Sequence, residues 1–124
     1  MATQGDAIVT IAEHHDEHGC HLALRGRLDV RTVADLRLSL HRVISDGTTP
    51  LLVDLGEAHV GDTTGFGLIV ECQRRARRAG RPMVVVAADD RTRRLLRRAR
   101  LGSLLGTASA PAPVDAALLA GAPA

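Results

Sequence analysis

Two short apolar runs, each opened by a proline, constrain this chain more than any other feature. Leu51-Leu52-Val53-Asp54-Leu55 follows Pro50, and Met83-Val84-Val85-Val86-Ala87 follows Pro82. Near-continuous apolar runs of this length between breakers read as strands buried on both faces, because a half-solvated strand alternates. Between them Leu68, Ile69, Cys72, Ala76 and Ala79 recur at helical spacing. That helix is expected to start near Asp62 to Gly65 and to stop at Gly80, just ahead of Pro82. Strand, helix, strand in this order makes a parallel pair joined by a crossover, right-handed by the general rule.

The flanking segments extend the same pattern. Ala7 to Ala12 and Cys20 to Arg25 read as a hairpin around a polar turn, His14-His15-Asp16-Glu17-His18-Gly19. Val33, Leu36, Leu40, Val43 and Ile44 form one face of a helix over 32–45, with Thr32 and Asp35 placed for a capping box and Gly47 beyond its end. A third helix is expected from about Asp90 to Arg100, burying Leu95, Leu96 and Ala99, with Gly102 after it. A last one is expected within Pro111 to Ala120, before a loose C-terminal tail. The expectation is an α/β fold: one domain over 1–124, core about 7–120, with a small mixed, largely parallel sheet packed against about four helices. A chain of 124 residues fits one domain.

Composition removes several function classes. Phe66 is the only aromatic, so stacking of bases or sugars has almost no platform. All sixteen basic residues are Arg, which excludes a lysine Schiff base and a P-loop lysine. There is no G-x-S-x-G and no H-E-x-x-H, so the domain is not expected to be an enzyme, with no catalytic residues and no cofactor. Two cysteines far apart, no apolar leader and no run of about 20 apolar residues point to a reducing cytoplasm and no membrane partner.

The stretch from Asp54 to Leu68 carries the chemistry. A buried strand is expected to end, a short loop to follow, and Thr63 and Thr64 to enter the first turn of a helix behind Asp62. Unpaired amides and the positive end of the helix dipole gather there, which favours added negative charge. Gly65 and Gly67 reduce side-chain bulk, so that another protein can approach the hydroxyls.

Asp62-Thr63-Thr64-Gly65-Phe66-Gly67-Leu68 resembles the signature of STAS domains of the anti-sigma factor antagonist type. Gly26-Arg27-Leu28-Asp29 and Leu52-Val53-Asp54-Leu55 resemble the family's G-x-L-D and v-v-D-L elements. Ala79 to Val86 resembles its A-G-G-x-L strand entry, with Arg81 in place of the second Gly, and Arg94 to Leu101 resembles its R-x-L-x-x-x-G-L segment, with Arg100 in place of Gly. Gly61 stands where the family usually has an apolar residue. The likeness runs collinearly over residues 7–120.

The resemblance implies that Thr63 is a phosphoacceptor. The unphosphorylated domain would then bind a cognate anti-sigma factor with serine/threonine kinase activity, freeing a sigma factor in a stress response, and a protein phosphatase would reset it. It implies a partner surface of Asp29, Asp62, Thr63, Thr64, Gly65 and Phe66, with a homodimer as a further possibility. The physics agrees, because a phosphate adds about −1.5 to −2 charge to a surface that must otherwise dock. The alternative is a non-phosphorylated STAS interaction or scaffold subunit of a larger assembly, stressosome-like or lipid-transporting. A third reading is an anion- or nucleotide-binding domain at the same helix terminus.

Two other signals weigh less. His14, His15, His18, Cys20 and His21 are metal-ligand types, but one local run in a turn reads as a solvated loop, with no metal. Residues 71–101 hold eleven Arg against three acids. Most fall in the last turns of helices, where cations complement the dipole, so an acidic protein partner is expected and no nucleic acid.

Overall fold

The computed structural model describes residues 8–106. The chain order is β1 (Thr10–Asp16), β2 (Gly19–Leu28), α1 (Val33–Ser45), β3 (Leu51–Val60), α2 (Thr63–Arg78), β4 (Met83–Ala88), α3 (Asp90–Arg98) and a 3₁₀ turn, Gly102–Leu104. The sheet order is β1-β2-β3-β4. β1 pairs antiparallel with β2, whereas β2 with β3 and β3 with β4 are parallel. The fold is therefore α/β with a mixed four-stranded sheet. Among the described residues there are three α-helices, not about four; the expected segment Pro111 to Ala120 lies outside them.

The core explains the pairing. Cys20, Leu22 and Leu24 alternate inward along β2. Leu22 and Leu24 meet Leu40 and Ile44 of α1 and Leu68, Ile69 and Cys72 of α2 around an apolar cavity of about 30 Å³. Thus α1 and α2 cover one face of the sheet, and His21, Ala23 and Arg25 of β2 alternate onto the other.

Several boundaries differ from expectation for identifiable reasons. The polar run His14 to Asp16 is strand: His14 pairs with His21 and His15 with Cys20, leaving only Glu17 and His18 as the turn. At a sheet edge, cross-strand pairing overrides polar composition. β3 does not end at Leu55 but continues to Val60, because Arg25 to Leu28 of β2 pair with Glu57 to Val60 beyond an irregularity in register. β4 is an edge strand with only Val85 fully buried, not an interior one.

Thr32 forms no capping box. Its hydroxyl donates to the Arg27 carbonyl (2.8 Å) and accepts from the Asp29 amide (3.1 Å) instead. Ala79 and Ala99 are exposed, while Gly65, which joins the inward face of α2, is buried.

Two arginines at glycine positions of the motif have structural explanations. Arg81 is only 3% exposed. Its guanidinium donates to the carbonyls of Val43 (2.8 Å), Ile44 (2.9 Å) and Thr49 (2.7 Å), closing the C-terminal end of α1. Arg100 takes a left-handed backbone, φ 63°, the conformation for which a glycine is suited. The Leu101 amide then reaches back to the Leu96 carbonyl (2.8 Å) and ends α3.

Candidate functional site

Each parallel strand delivers its chain to a helix at the same edge of the sheet. β2 leads to α1, β3 to α2 and β4 to α3, so three helix N-termini gather at the carboxyl ends of the strands. Open α/β sheets place ligands and partners at this edge.

Asp62 organises the centre of it. In extended conformation it is the N-cap of α2, and its Oδ1 accepts the Gly65 amide at 2.9 Å. Its Oδ2 accepts the Val30 amide at 3.1 Å, which ties the β2–α1 loop to the start of α2. The Gly65 amide first, then the Val30 amide, hold the carboxyl below its ordinary value, with smaller contributions from the Thr64 amide and the Arg27 charge. Asp62 is thus a carboxylate whose lone pairs point into its own chain.

Thr63 is the first residue of α2 and is exposed, as is Thr64. Gly65 is buried, for a reason unrelated to access by a partner: a Cβ there would come within 1.9 Å of the Leu28 carbonyl oxygen. Gly67 has open space around it. Phe66 is half-buried and packs against the core.

Asp29 is buried at 8% exposure. Its carboxylate accepts the Arg31 amide (2.9 Å) and the Arg27 Nε (3.0 Å). Its carbonyl accepts the Thr32 and Val33 amides at the start of α1. Its side chain therefore shapes the loop, and the residues of this loop that face solvent are Val30, 65% exposed, and Arg31. Val30 belongs to the site and has no signal in the linear motif; an apolar residue one position after the G-x-L-D aspartate is its only trace.

Arg27 also escapes sequence reading. Its guanidinium lies over Gly61, where a Cβ would come within 2.7 Å of Nε. From there the Arg27 cation pairs with Asp29 and acts on Asp62. The result is an exposed hydroxyl pair with an exposed valine on the neighbouring loop and one arginine between two internally bonded aspartates. This surface is open to solvent at both hydroxyls and at the valine.

A small α/β domain whose exposed hydroxyls open a capped helix at the carboxyl end of a mixed sheet defines a class, and sequence comparison agrees. Residues 11–106 match the family described as "Mlab, STAS domain", and the chain belongs to the STAS domains. Its fold is that of solved anti-sigma factor antagonists. SpoIIAA in its unphosphorylated form superposes with a TM-score of 0.66 at 17% identity, over 81% of this chain and 89% of that one. An anti-sigma factor antagonist from Mycobacterium paratuberculosis gives 0.69 at 18% identity, over 84% and 88%. The phosphorylated form of the Bacillus cell fate determinant SpoIIAA gives 0.65 at 17%, over 81% and 92%. No protein of curated function matches the chain in sequence. Among the described residues no helix is long and apolar enough to cross a membrane.

Proposed function

We propose that this domain is an anti-sigma factor antagonist switched by phosphorylation of Thr63. The observation that carries the reading is the exposed Thr63 at the first position of α2, directly after a cap whose carboxylate is already committed to backbone amides. Unphosphorylated, the Val30, Thr63 and Thr64 surface docks on an anti-sigma factor that is itself the kinase. Phosphorylated, Thr63 sets a dianionic group beside the Asp62 carboxylate, and the partner must desolvate both. Release then needs only electrostatics at the interface, and a phosphatase restores binding. The domain acts through binding in this scheme and performs no chemistry of its own.

The test is phosphorylation by the cognate anti-sigma factor kinase with ATP, mapped by mass spectrometry, together with binding of two variants. Phosphate is expected on Thr63. Thr63→Ala should bind constitutively, and Thr63→Glu should bind at least about tenfold more weakly, the scale of a desolvated like-charge contact. Phosphate only elsewhere, or equal affinity of the two variants, overturns the switch.

A second reading has one observation in its favour: the family that matches residues 11–106 is described by its Mlab member. In that reading the same surface holds the domain permanently in a larger assembly. Co-purification with that assembly, indifferent to Thr63 substitution, is its signature.

A further inference from the structure

The hairpin at the far edge of the sheet gathers donors of a different chemistry. Because His14 to Asp16 is strand, side chains alternate across the two faces of the hairpin. His14 and Asp16 project to one face, and His21, the cross-strand partner of His14, joins them there. We propose that His14, Asp16 and His21 form a surface site for a borderline divalent transition metal, with Zn²⁺ as the reference ion.

One donor atom from each of the three lies within 4.8 Å of the other two. Zinc bonds of about 2.0–2.2 Å at tetrahedral angles require ligand atoms roughly 3.4 Å apart, a closure within reach of side-chain rotation on an exposed strand. The two imidazole rings lie side by side, centroids 4.4 Å apart and planes within 4°, and a tilt of the stack is what turns their in-plane lone pairs onto one ion. The antiparallel pairing holds the two backbones at fixed separation beneath them.

The carboxylate is oriented before any ion arrives. Asp16 Oδ1 accepts the His18 amide at 2.8 Å and lies 2.9 Å from His21 Nε2. The His18 amide is an outer contact of the kind that holds a ligand in place and tunes it. His21 Nε2 binds an ion only as the tautomer protonated at Nδ1, so in the tautomer that donates to Asp16 the ring's single proton must first move to Nδ1 by exchange with water.

Two imidazoles with one carboxylate suit zinc, nickel or copper. Calcium and magnesium take oxygen donors instead. Three protein donors leave a further position for water or an outside ligand. The opposite face of the hairpin carries Glu13, His15 and Cys20 at similar separations. Cys20 is completely buried, so an ion there would have to shed its whole hydration shell inside the core. The solvent-facing trio is the one an ion can reach.

The experiment is a titration of the untagged full chain with Zn²⁺ against a chromophoric chelator, repeated with Co²⁺ to read ligand type from its absorption. One equivalent should bind. His14→Ala and His21→Ala should each weaken binding by more than about 100-fold, beyond the range for outer-shell partners, and Asp16→Asn should weaken it clearly while preserving the turn's shape. His15→Ala and His18→Ala should leave it within about threefold. Circular dichroism of each apo variant confirms that the fold persists. Absence of saturable binding, equal loss on His15→Ala, or a thiolate-to-cobalt band removed by Cys20→Ala overturns the assignment.

Discussion

The Cα of Gly65 faces the carbonyl of Leu28 so closely that an added methyl group would sit 1.9 Å from the oxygen and 2.4 Å from the carbonyl carbon. Both contacts are backbone, so neither can swing aside. Two residues on, a methyl group added at Gly67 would meet no neighbouring element within 4 Å. The two glycines of the motif therefore serve opposite ends: the first lets α2 seat on the end of β2, and the second leaves the exposed face of the helix bare.

Their alanine variants should move stability in opposite directions. Gly65→Ala forces the start of α2 off β2 and should cost more than about 2 kcal/mol, at the upper part of the range for overpacking. Gly67→Ala relieves a helix-interior glycine without a clash and should stabilise by about 0.5–1 kcal/mol. Urea denaturation of the two variants beside the parent checks both signs; destabilisation by Gly67→Ala would show that the open face is occupied.

Asp62 predicts a pH dependence. Its folded carboxyl titrates below the ordinary value of 3.8, chiefly through the Gly65 amide. A carboxyl depressed in the native state contributes stability that is complete above its unfolded pKa and is lost as pH falls through the folded one. Asp62→Ala should therefore melt several degrees below the parent at pH 7, as expected for a lost N-cap, and the gap should close below about pH 4. Thermal melts across that range read it directly; a gap that persists unchanged at low pH would assign the cap's effect to packing instead of charge.

What was legible in the sequence follows from where local pattern and tertiary context agree. α2 was readable because its apolar spacing, its cap at Asp62 and its stop at Gly80 all point the same way, and Gly80 does adopt a left-handed φ of 73°. The position of Thr63 followed from that helix. β3 beyond Leu55 was not readable: Glu57 and His59 are polar and exposed, and only pairing with Arg25 and Arg27 makes that stretch a strand. The same holds for His14 to Asp16. Val30 and Arg27 entered the site through a loop contact spanning 32 residues and through the space over Gly61, neither of which leaves a periodic trace.

Arg81 illustrates a substitution that a motif comparison records only as a mismatch. Its three carbonyl contacts satisfy acceptors at the end of α1 and in the following loop, that of Ile44 in a buried setting. Arg81→Met keeps the stem and removes the donors, and should cost about 2–4 kcal/mol, from hydrogen bonds to a charged group and unsatisfied acceptors combined. Arg81→Lys should recover less than half of that loss, because a single ammonium lacks the planar fork that reaches Thr49 and the α1 carbonyls together. Denaturant midpoints at unchanged m-value give the comparison; full recovery by lysine would mean that charge alone, without geometry, closes the helix.

Arg100 makes the complementary case, a side chain kept where the backbone would favour none. At φ 63° its Cβ crowds the adjacent carbonyl, a strain of roughly 1–2 kcal/mol for an L-residue. Nothing compensates it through the side chain, which is exposed and forms no ion pair among the described residues. Arg100→Gly removes the strain and returns only part of it as extra entropy of the unfolded chain, so the variant should be more stable by about 0.5–1 kcal/mol. The Leu101 to Leu96 closure of α3 should survive, and the variant should bind its partner like the parent, since the three helix N-termini lie at the other end of α3. A thermal melt and a binding isotherm on the same protein decide it: a more stable domain that binds less tightly would place Arg100 in the docking surface.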